Sequence, residues 1–532
     1  MALLSLVKHY FPSFQLNAPL LYLSCFIIVV LFLINLRTRS SQSKSNLNLP
    51  PSPPKLPIIG NLHQLGSLPH HSFRTLSKKY GPLMFLQLGQ TPAVVVSSAE
   101  LAREFMKIHD LTIADRPQGI CPKILLYGCT DVGFGSYGSE TWRQKRKICV
   151  NELLSPRRVQ SFKNAREEEA WQLVNKIRDM CLSGADSVNL SELLIATSND
   201  IVCKCVLGDK VSKGANTRIG ELARKVMINI MAFSVGDYFP SLGWVDVLTG
   251  LISRLKAIFR ELDDLFDRIV EERRTMLMKR SDDQSSNRKS LLDILLQLQD
   301  DGILDYSFSQ YDIKSILMDM FLGGSDTSST AMEWVMAELV MNPTKMQKAQ
   351  EELRRVVGNK SKVEEQDINQ MNYLKCVVKE ALRLHPPTAL IPPRLSRSRL
   401  DVRGYTIPAK TTVYINAWAI QRDAEFWERP EEFIPERFEK NGVDFKGQDF
   451  NFIPFGSGRR GCPGMMFGVA AVESLLANLL YWFDWKLPVV NGATVQRIDM
   501  EETFGLTVSK KMPLYLKPIP YSKSSELARY TV

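Results

Sequence analysis

Histidine is scarce in this chain, six among 532 residues: His9, His63, His70, His71, His109 and His385. No H-E-x-x-H pair and no G-x-S-x-G turn with triad partners occurs, which argues against zinc proteases and serine hydrolases. His70 and His71 adjoin each other on what reads as a loop with no third ligand nearby, so they are expected at the surface. A G-x-x-x-x-G-K-[ST] loop is missing, as is a G-x-G-x-x-G following a strand. The chain therefore carries no nucleotide site of its own, and any electrons it uses come from outside. Cysteine is thin too: nine, an odd count, spread along the whole length. That is not a disulfide scaffold, and it fits a reducing, cytosol-facing compartment. Cys203 and Cys205 lie in an apolar segment with nothing to complete a metal site, so core positions are expected for them. No C-x-x-C…H finger or basic stripe with interleaved aromatics is present. The formal charge of +10 thus points to anionic lipid or an acidic protein before nucleic acid.

Charge is also absent from Phe11 to Leu36. Ala18 to Leu36 is almost wholly apolar, and a helix of that length rises roughly 28 Å, enough to cross a hydrocarbon core. Arg37, Arg39 and Lys44 follow it in place of a small-residue cleavage site, which favours an uncleaved anchor over a signal peptide, with the rest of the chain cytosolic. A polar linker leads into Pro50, Pro51, Pro53, Pro54 and Pro57 and then Gly60. Proline fixes φ and extends the residue before it, making a stiff spacer. The expected division is 1–36 anchor, 37–60 polar and proline-rich hinge, and 61–532 a single body.

Within that body short strand patterns occur at Leu83–Leu88, Ala93–Ser97, Thr411–Asn416 and Leu506–Leu516. Long helical patterns occur at Ser161–Arg178, Leu251–Arg280, Tyr311–Met341 and Gln366–Leu384. Ser281–Lys289 reads as an exposed loop. The body is expected to be mainly α with small β-sheets.

The sharpest local signal is Phe455-Gly456-Ser457-Gly458-Arg459-Arg460-Gly461-Cys462-Pro463-Gly464. A thiolate that ligates a metal from one face needs an exposed sulfur on a tight loop, its charge softened by N–H groups and a helix N-terminus. The glycines permit such a loop, and an apolar helix runs on through Phe467 to Leu480. Glu380 and Arg383 share one helix face, as do Trp142 and Arg146. Gly323-Gly324-Ser325-Asp326-Thr327-Ser328 interrupts a long helix with two glycines, each costing about 1 kcal/mol relative to alanine. Such a helix needs room for something beside its backbone, and the acid and hydroxyl there could break the i→i−4 pattern.

These motifs, in this order, resemble the plant A-type microsomal cytochromes P450 from anchor to carboxyl end. F-x-x-G-x-R-x-C-x-G matches the family's haem signature at every fixed position. The resemblance implies a cytochrome P450 fold behind one transmembrane helix, with Cys462 as axial ligand to the iron of haem b. It further implies that Phe455 and Gly456 form the haem loop, and that Arg460, Trp142, Arg146 and Arg394 contact haem propionates. Glu380, Arg383 and Arg437 (of Pro435-Glu436-Arg437-Phe438) are expected in a buried structural network. Thr327 is expected to hydrogen-bond dioxygen at the iron and Asp326 to relay protons.

The implied activity is monooxygenation of a small hydrophobic plant specialised metabolite (terpenoid, phenylpropanoid or alkaloid) at the endoplasmic reticulum membrane. Dioxygen is the oxidant, and electrons come from NADPH through cytochrome P450 reductase. The alternative from another reaction class is a haem-thiolate isomerase or dehydratase without dioxygen; the intact acid–threonine pair argues for oxygen activation. The expected pocket includes Ile120, Leu125, Leu126, Phe134, Leu322, Ala389, Leu390, Ile391 and Phe504. Arg143, Lys145, Lys147 and Arg459 are expected to form a docking face for the acidic reductase.

Overall fold

A computed structural model describes residues 22–24, 26–27, 29–30, 47–208, 213–279, 289–302, 306–490 and 493–521. Most of the expected anchor, the polar linker to residue 46, and nearly all of the expected loop Ser281–Lys289 lie outside the described residues. The described part of the anchor is helical, with Tyr22, Leu23, Phe26, Ile27 and Val29 exposed. The chain divides into two compact units, Met1–Leu49 and Pro50–Val532.

The second unit is mainly helical. Helix α1 (Pro69–Tyr80) starts on a proline, whose missing N–H is no loss at that position. It leads to the antiparallel pair β1 (Leu83–Leu88) and β2 (Thr91–Val96). Helix α2 (Glu140–Ile148) is capped by Ser139, whose side chain accepts from the Trp142 N–H. Helices α3 (Leu190–Leu207), α4 (Lys213–Asn229) and α5 (Leu251–Met278) follow. The long pattern expected at Tyr311–Met341 is not one uninterrupted α-helix. It is α6 (Gln310–Phe321), a π turn over Leu322–Asp326, and α7 (Thr327–Met341). Such turns widen the helix locally and concentrate at functional sites.

Helix α8 (Asn372–Leu384) starts six residues later than the Gln366 expected from its pattern. The Glu352 carboxylate accepts from the Tyr373 and Leu374 N–H groups, each at 2.9 Å, and fixes its start there. Strands β3 (Leu390–Leu395) and β4 (Thr412–Asn416) complete a four-stranded sheet in the order β1-β2-β4-β3. Helix α9 (Met465–Trp482) is long and apolar enough to cross a membrane, but most of it is buried as a core helix. The strand expected at Leu506–Leu516 is instead a hairpin of β5 (Glu502–Thr503) and β6 (Ser509–Lys510), then a separate strand Tyr515–Pro520. Pro513 lacks the N–H that an uninterrupted ladder requires. The main core runs between α3, α6, α7, α8 and α9, and a second one packs under the sheet.

Candidate active site

The cysteine loop turns through left-handed glycines, with φ +68° at Gly456 and +70° at Gly458. A Cβ on Gly458 would fall 2.6 Å from both the Met106 carbonyl and an Asp110 carboxylate oxygen, so no other residue fits there. The Cys462 N–H donates to the Phe455 carbonyl (2.9 Å), and Gly464 caps α9. The sulfur therefore sits at a helix N-terminus. Burial pushes the thiol above its ordinary range, and the N–H groups of Gly464 and Met465 together with Arg146 oppose that. Although Cys462 lies deep in the protein, it is the exposed one of the eight described cysteines, because its surface opens into an internal cavity.

That cavity, about 300 Å³, is bounded elsewhere by the π turn between α6 and α7. Gly323 presents bare backbone to it, and a Cβ there would meet no protein atom within 4 Å. Gly324 serves packing instead: its Cβ would lie 2.8 Å from Val202 Cγ2 on α3. Thr327 lines the cavity, its hydroxyl donating to the Gly323 carbonyl at 2.6 Å. Burial raises the Asp326 carboxyl above the usual carboxylate range, partly offset by the adjacent Thr507 hydroxyl and the charge of Arg224.

A third wall is cationic. Arg116, Arg146 and Arg460 all line the cavity, and among the described residues none has a carboxylate within ion-pair distance. They donate to carbonyls instead. Arg146 reaches Gly461 (2.6 Å). Arg460 reaches Ala114 (2.7 Å), Val132 (3.3 Å) and Gly135. Arg116 reaches Gly133 (3.1 Å), Pro393 (3.1 Å) and Pro392. Burial lowers the Arg116 pKa strongly, helped by repulsion from Arg460 and Arg394. It also pushes Arg460 down to about 10. Guanidinium does not lose its proton in proteins, so these shifts reflect the burial of positive charge, which Asp131 and Asp115 offset only through space. Asp131 and Asp319 border the same cavity with their carboxyls raised by burial. They answer mainly to backbone N–H groups of Phe134, and of Val132 and Gly133, respectively.

The structure thus gathers Cys462, Phe455, Gly456, Arg460, Arg146 and Thr327 around one cavity. Trp142 stands behind it, donating from Nε1 to the Val132 carbonyl (3.0 Å) with the Arg460 guanidinium 4.3 Å over its ring. Arg394 is not among the cavity's lining residues. It braces the cysteine loop, paired with Asp110 at 2.6 Å and donating to the Ser457 carbonyl at 2.7 Å. Glu380 and Arg383 are fully buried in a bidentate pair (2.8 and 2.9 Å), and Arg437 joins the same carboxylate at 3.0 Å.

Of the expected pocket, Leu126, Phe134, Leu322 and Ile391 line the cavity, whereas Ile120, Leu125, Ala389, Leu390 and Phe504 do not. Lys145 is no docking residue: it is fully buried, holding Asp312 (2.8 Å) and Ser315 (2.7 Å). Arg143, Lys147 and Arg459 remain exposed. Sequence reasoning missed Arg116 as a cationic wall residue, and missed Val202, Cys205, Val206, Met227 and Ile230 as lining. Their apolar helical periodicity reads equally well as core.

An open sulfur at a helix N-terminus, three unpaired guanidiniums and bare backbone on one cavity form a donor set that fits a metal-centred dianion such as haem b. The comparisons agree. The cytochrome P450 family model matches residues 50–515. Phenylacetaldehyde oxime monooxygenase of Prunus mume is 49% identical over 98% of this chain and 100% of its own. Desmethylyatein synthase of Sinopodophyllum hexandrum is 47% identical over 94% and 99%. Salviol synthase of Salvia pomifera is 44% identical over 95% and 98%. A zebra fish cytochrome P450 solved with abiraterone superposes with a TM-score of 0.71 at 23% identity, covering 86% of this chain and 100% of the other.

Proposed function

The chain belongs to the cytochrome P450 family, and from that premise we propose a haem-thiolate monooxygenase of plant specialised metabolism, with residues 1–36 as its membrane anchor, 37–60 as a hinge and 61–532 as the catalytic domain. When bound, haem b supplies the reductive activation of dioxygen by which one oxygen atom enters the substrate and the other leaves as water. Cys462 would hold the haem iron through a thiolate steadied by the Gly464 and Met465 N–H groups. Arg116, Arg146 and Arg460 would hold the two propionates, each a planar donor suited to carboxylate. Trp142 fixes the plane of Arg460. Thr327, tied to the Gly323 carbonyl, keeps its oxygen at the cavity wall as a proton acceptor and donor. Asp326, whose carboxyl burial raises above its usual range, is the neighbouring acid assigned to relay protons to that hydroxyl.

Leu126, Phe134, Val202, Met227, Ile230 and Leu506 give the substrate an apolar bed. They orient a small hydrophobic metabolite of terpenoid, phenylpropanoid or alkaloid type by shape and exclude water from it. Electrons come from NADPH through cytochrome P450 reductase, docking beside Arg143, Lys147 and Arg459 at the endoplasmic reticulum surface. The observation that carries the reading is the buried but open Cys462 sulfur sharing a cavity with three arginines that lack an ion-pair partner among the described residues.

The test uses microsomes holding the full chain and a plant reductase. The reduced protein with carbon monoxide should show the red-shifted Soret band of sulfur ligation, and Cys462→Ala should lose it. Product from an apolar metabolite library should require NADPH and dioxygen and gain one oxygen by mass. Absence of the shifted band in the wild type would overturn the assignment.

A further inference from the structure

His70 and His71 are not on a loop and do not lack a third ligand. They occupy the first turn of α1, and β5, more than 400 residues later, brings Glu502 to them. Both imidazole Nε2 atoms lie 2.8 Å from the same Glu502 Oε2, and all three ligand atoms fall within 4.8 Å of one another. The rings are fixed from outside the cluster. His71 stacks on Trp418 at 4.1 Å, and His70 lies parallel to Phe504 at 5.8 Å. The Asn416 side chain donates to the His70 carbonyl (2.8 Å), holding the backbone. His70 is buried, while the His71 side chain is 44% exposed and opens the cluster to solvent.

We propose that His70, His71 and Glu502 form a second metal site, remote in function from the haem cavity, for a zinc-class divalent cation. Two imidazoles and one carboxylate are the protein ligands of open tetrahedral zinc sites, whose fourth position is left to water. Ligands at about 2.0–2.2 Å from zinc stand roughly 3.4 Å apart in a tetrahedron, so opening each contact by about half an ångström admits the ion. Calcium and magnesium prefer all-oxygen shells and are not served here.

Two features bound the affinity. His70 Nδ1 is buried with no partner. Zinc at Nε2 leaves the ring proton on that atom, forgoing an outer hydrogen bond usually worth about 10–100-fold in affinity. Arg74 and Arg422 lie close by, but both pair with Glu431 (2.6 and 3.1 Å). A micromolar site follows, not a nanomolar structural one. Its occupancy would bridge α1 to the β5–β6 hairpin, which carries Leu506 into the haem cavity.

The test titrates Zn²⁺ from a buffered free-ion series into the haem-loaded full-length protein in nanodiscs, measuring zinc per haem by equilibrium dialysis with elemental analysis. One zinc per haem is expected in the micromolar range. His71→Ala, a partly exposed change that leaves every thiol in place, should weaken binding at least tenfold with an unchanged carbon monoxide band. Glu502→Gln should do likewise. Calcium at millimolar excess should not compete. Equal zinc uptake by wild type and both variants, or none by the wild type at about 100 μM free zinc, overturns the site. Neither result depends on turnover, so the proposal and the monooxygenase reading fail separately.

Discussion

Alanine placed in turn at the two glycines of the π turn separates their roles. Both changes gain helix propensity, about 1 kcal/mol. At 324 the new methyl stands 2.8 Å from Val202 Cγ2, well inside contact. Val202 is buried and β-branched, with one strongly favoured rotamer in a helix, so it cannot swing aside cheaply. Helix α3 must retreat, and overpacking of this kind costs about 1–3 kcal/mol. The net effect of Gly324→Ala is thus from near neutral to about 2 kcal/mol destabilising. At 323 the methyl meets no protein atom within 4 Å, so about 1 kcal/mol of stabilisation remains, while the methyl intrudes on the cavity. Thermal unfolding of the haem-loaded variants measures the first quantity, and spectral titration with a bound substrate measures the second. Gly323→Ala should be at least as stable as wild type but altered in substrate affinity; Gly324→Ala should be the less stable of the two. Equal stabilities, or the reverse order, would refute the assignment of Gly324 to packing and Gly323 to the cavity.

Glu380→Gln should destabilise by about 3–5 kcal/mol, because it leaves Arg383 and Arg437 charged and buried; near-normal folded yield would contradict this. Asp326→Asn removes the titratable proton beside Thr327 and should slow product formation about 10²-fold or more while the carbon monoxide band stays intact. Glu473, inside α9, is pushed up to about 7 by burial. A raised folded pKa means the native state holds a proton that the unfolded state has released. Stability should therefore fall between roughly pH 4.5 and 7 and stay low above that, by at most about 3 kcal/mol. Glu473→Gln should then stabilise at pH 8 and do little at pH 4.5, and unfolding at both pH values checks the sign.

What was legible in the sequence is what a few consecutive residues dictate. The cysteine loop needs its glycines at fixed places and a helix directly after it, so the motif, the sulfur and α9 are read together. Two glycines within a helix likewise predict a break, found as the π turn. Residues placed by tertiary approach were not legible. Arg116 is a lone arginine in a loop until β3 comes beside it; Lys145 looks like surface until α6 covers it with Asp312. Arg394 was expected at a propionate, and its pairing with Asp110, far away in sequence, was not readable. Glu502 completes the His70–His71 pair only because the last hairpin folds back on the first helix. The apolar faces of α3 and α4 are ambiguous in principle, since an inward face reads the same whether it meets a core or a cavity.

The two buried arginine clusters differ in a way that decides which one is a site. Arg383 and Arg437 share the Glu380 carboxylate and fill their remaining donors with carbonyls, so the chain closes that network by itself. Among the described residues Arg116, Arg146 and Arg460 have no ion-pair partner and donate only to carbonyls, and a buried charge that is not paired at contact distance is costly. Such a cluster persists when an external anion completes it. Haem b brings two propionates, and hydrogen bonds to charged groups contribute about 1.5–3 kcal/mol each. Reconstitution with the dimethyl ester of haem, which keeps the iron and ring but removes both charges, should therefore lose at least about 3 kcal/mol, roughly a hundredfold in affinity. Sulfur ligation should survive in whatever fraction binds. If the ester binds as tightly as haem itself, the arginines are not the propionate site, and their burial needs another anion to explain it.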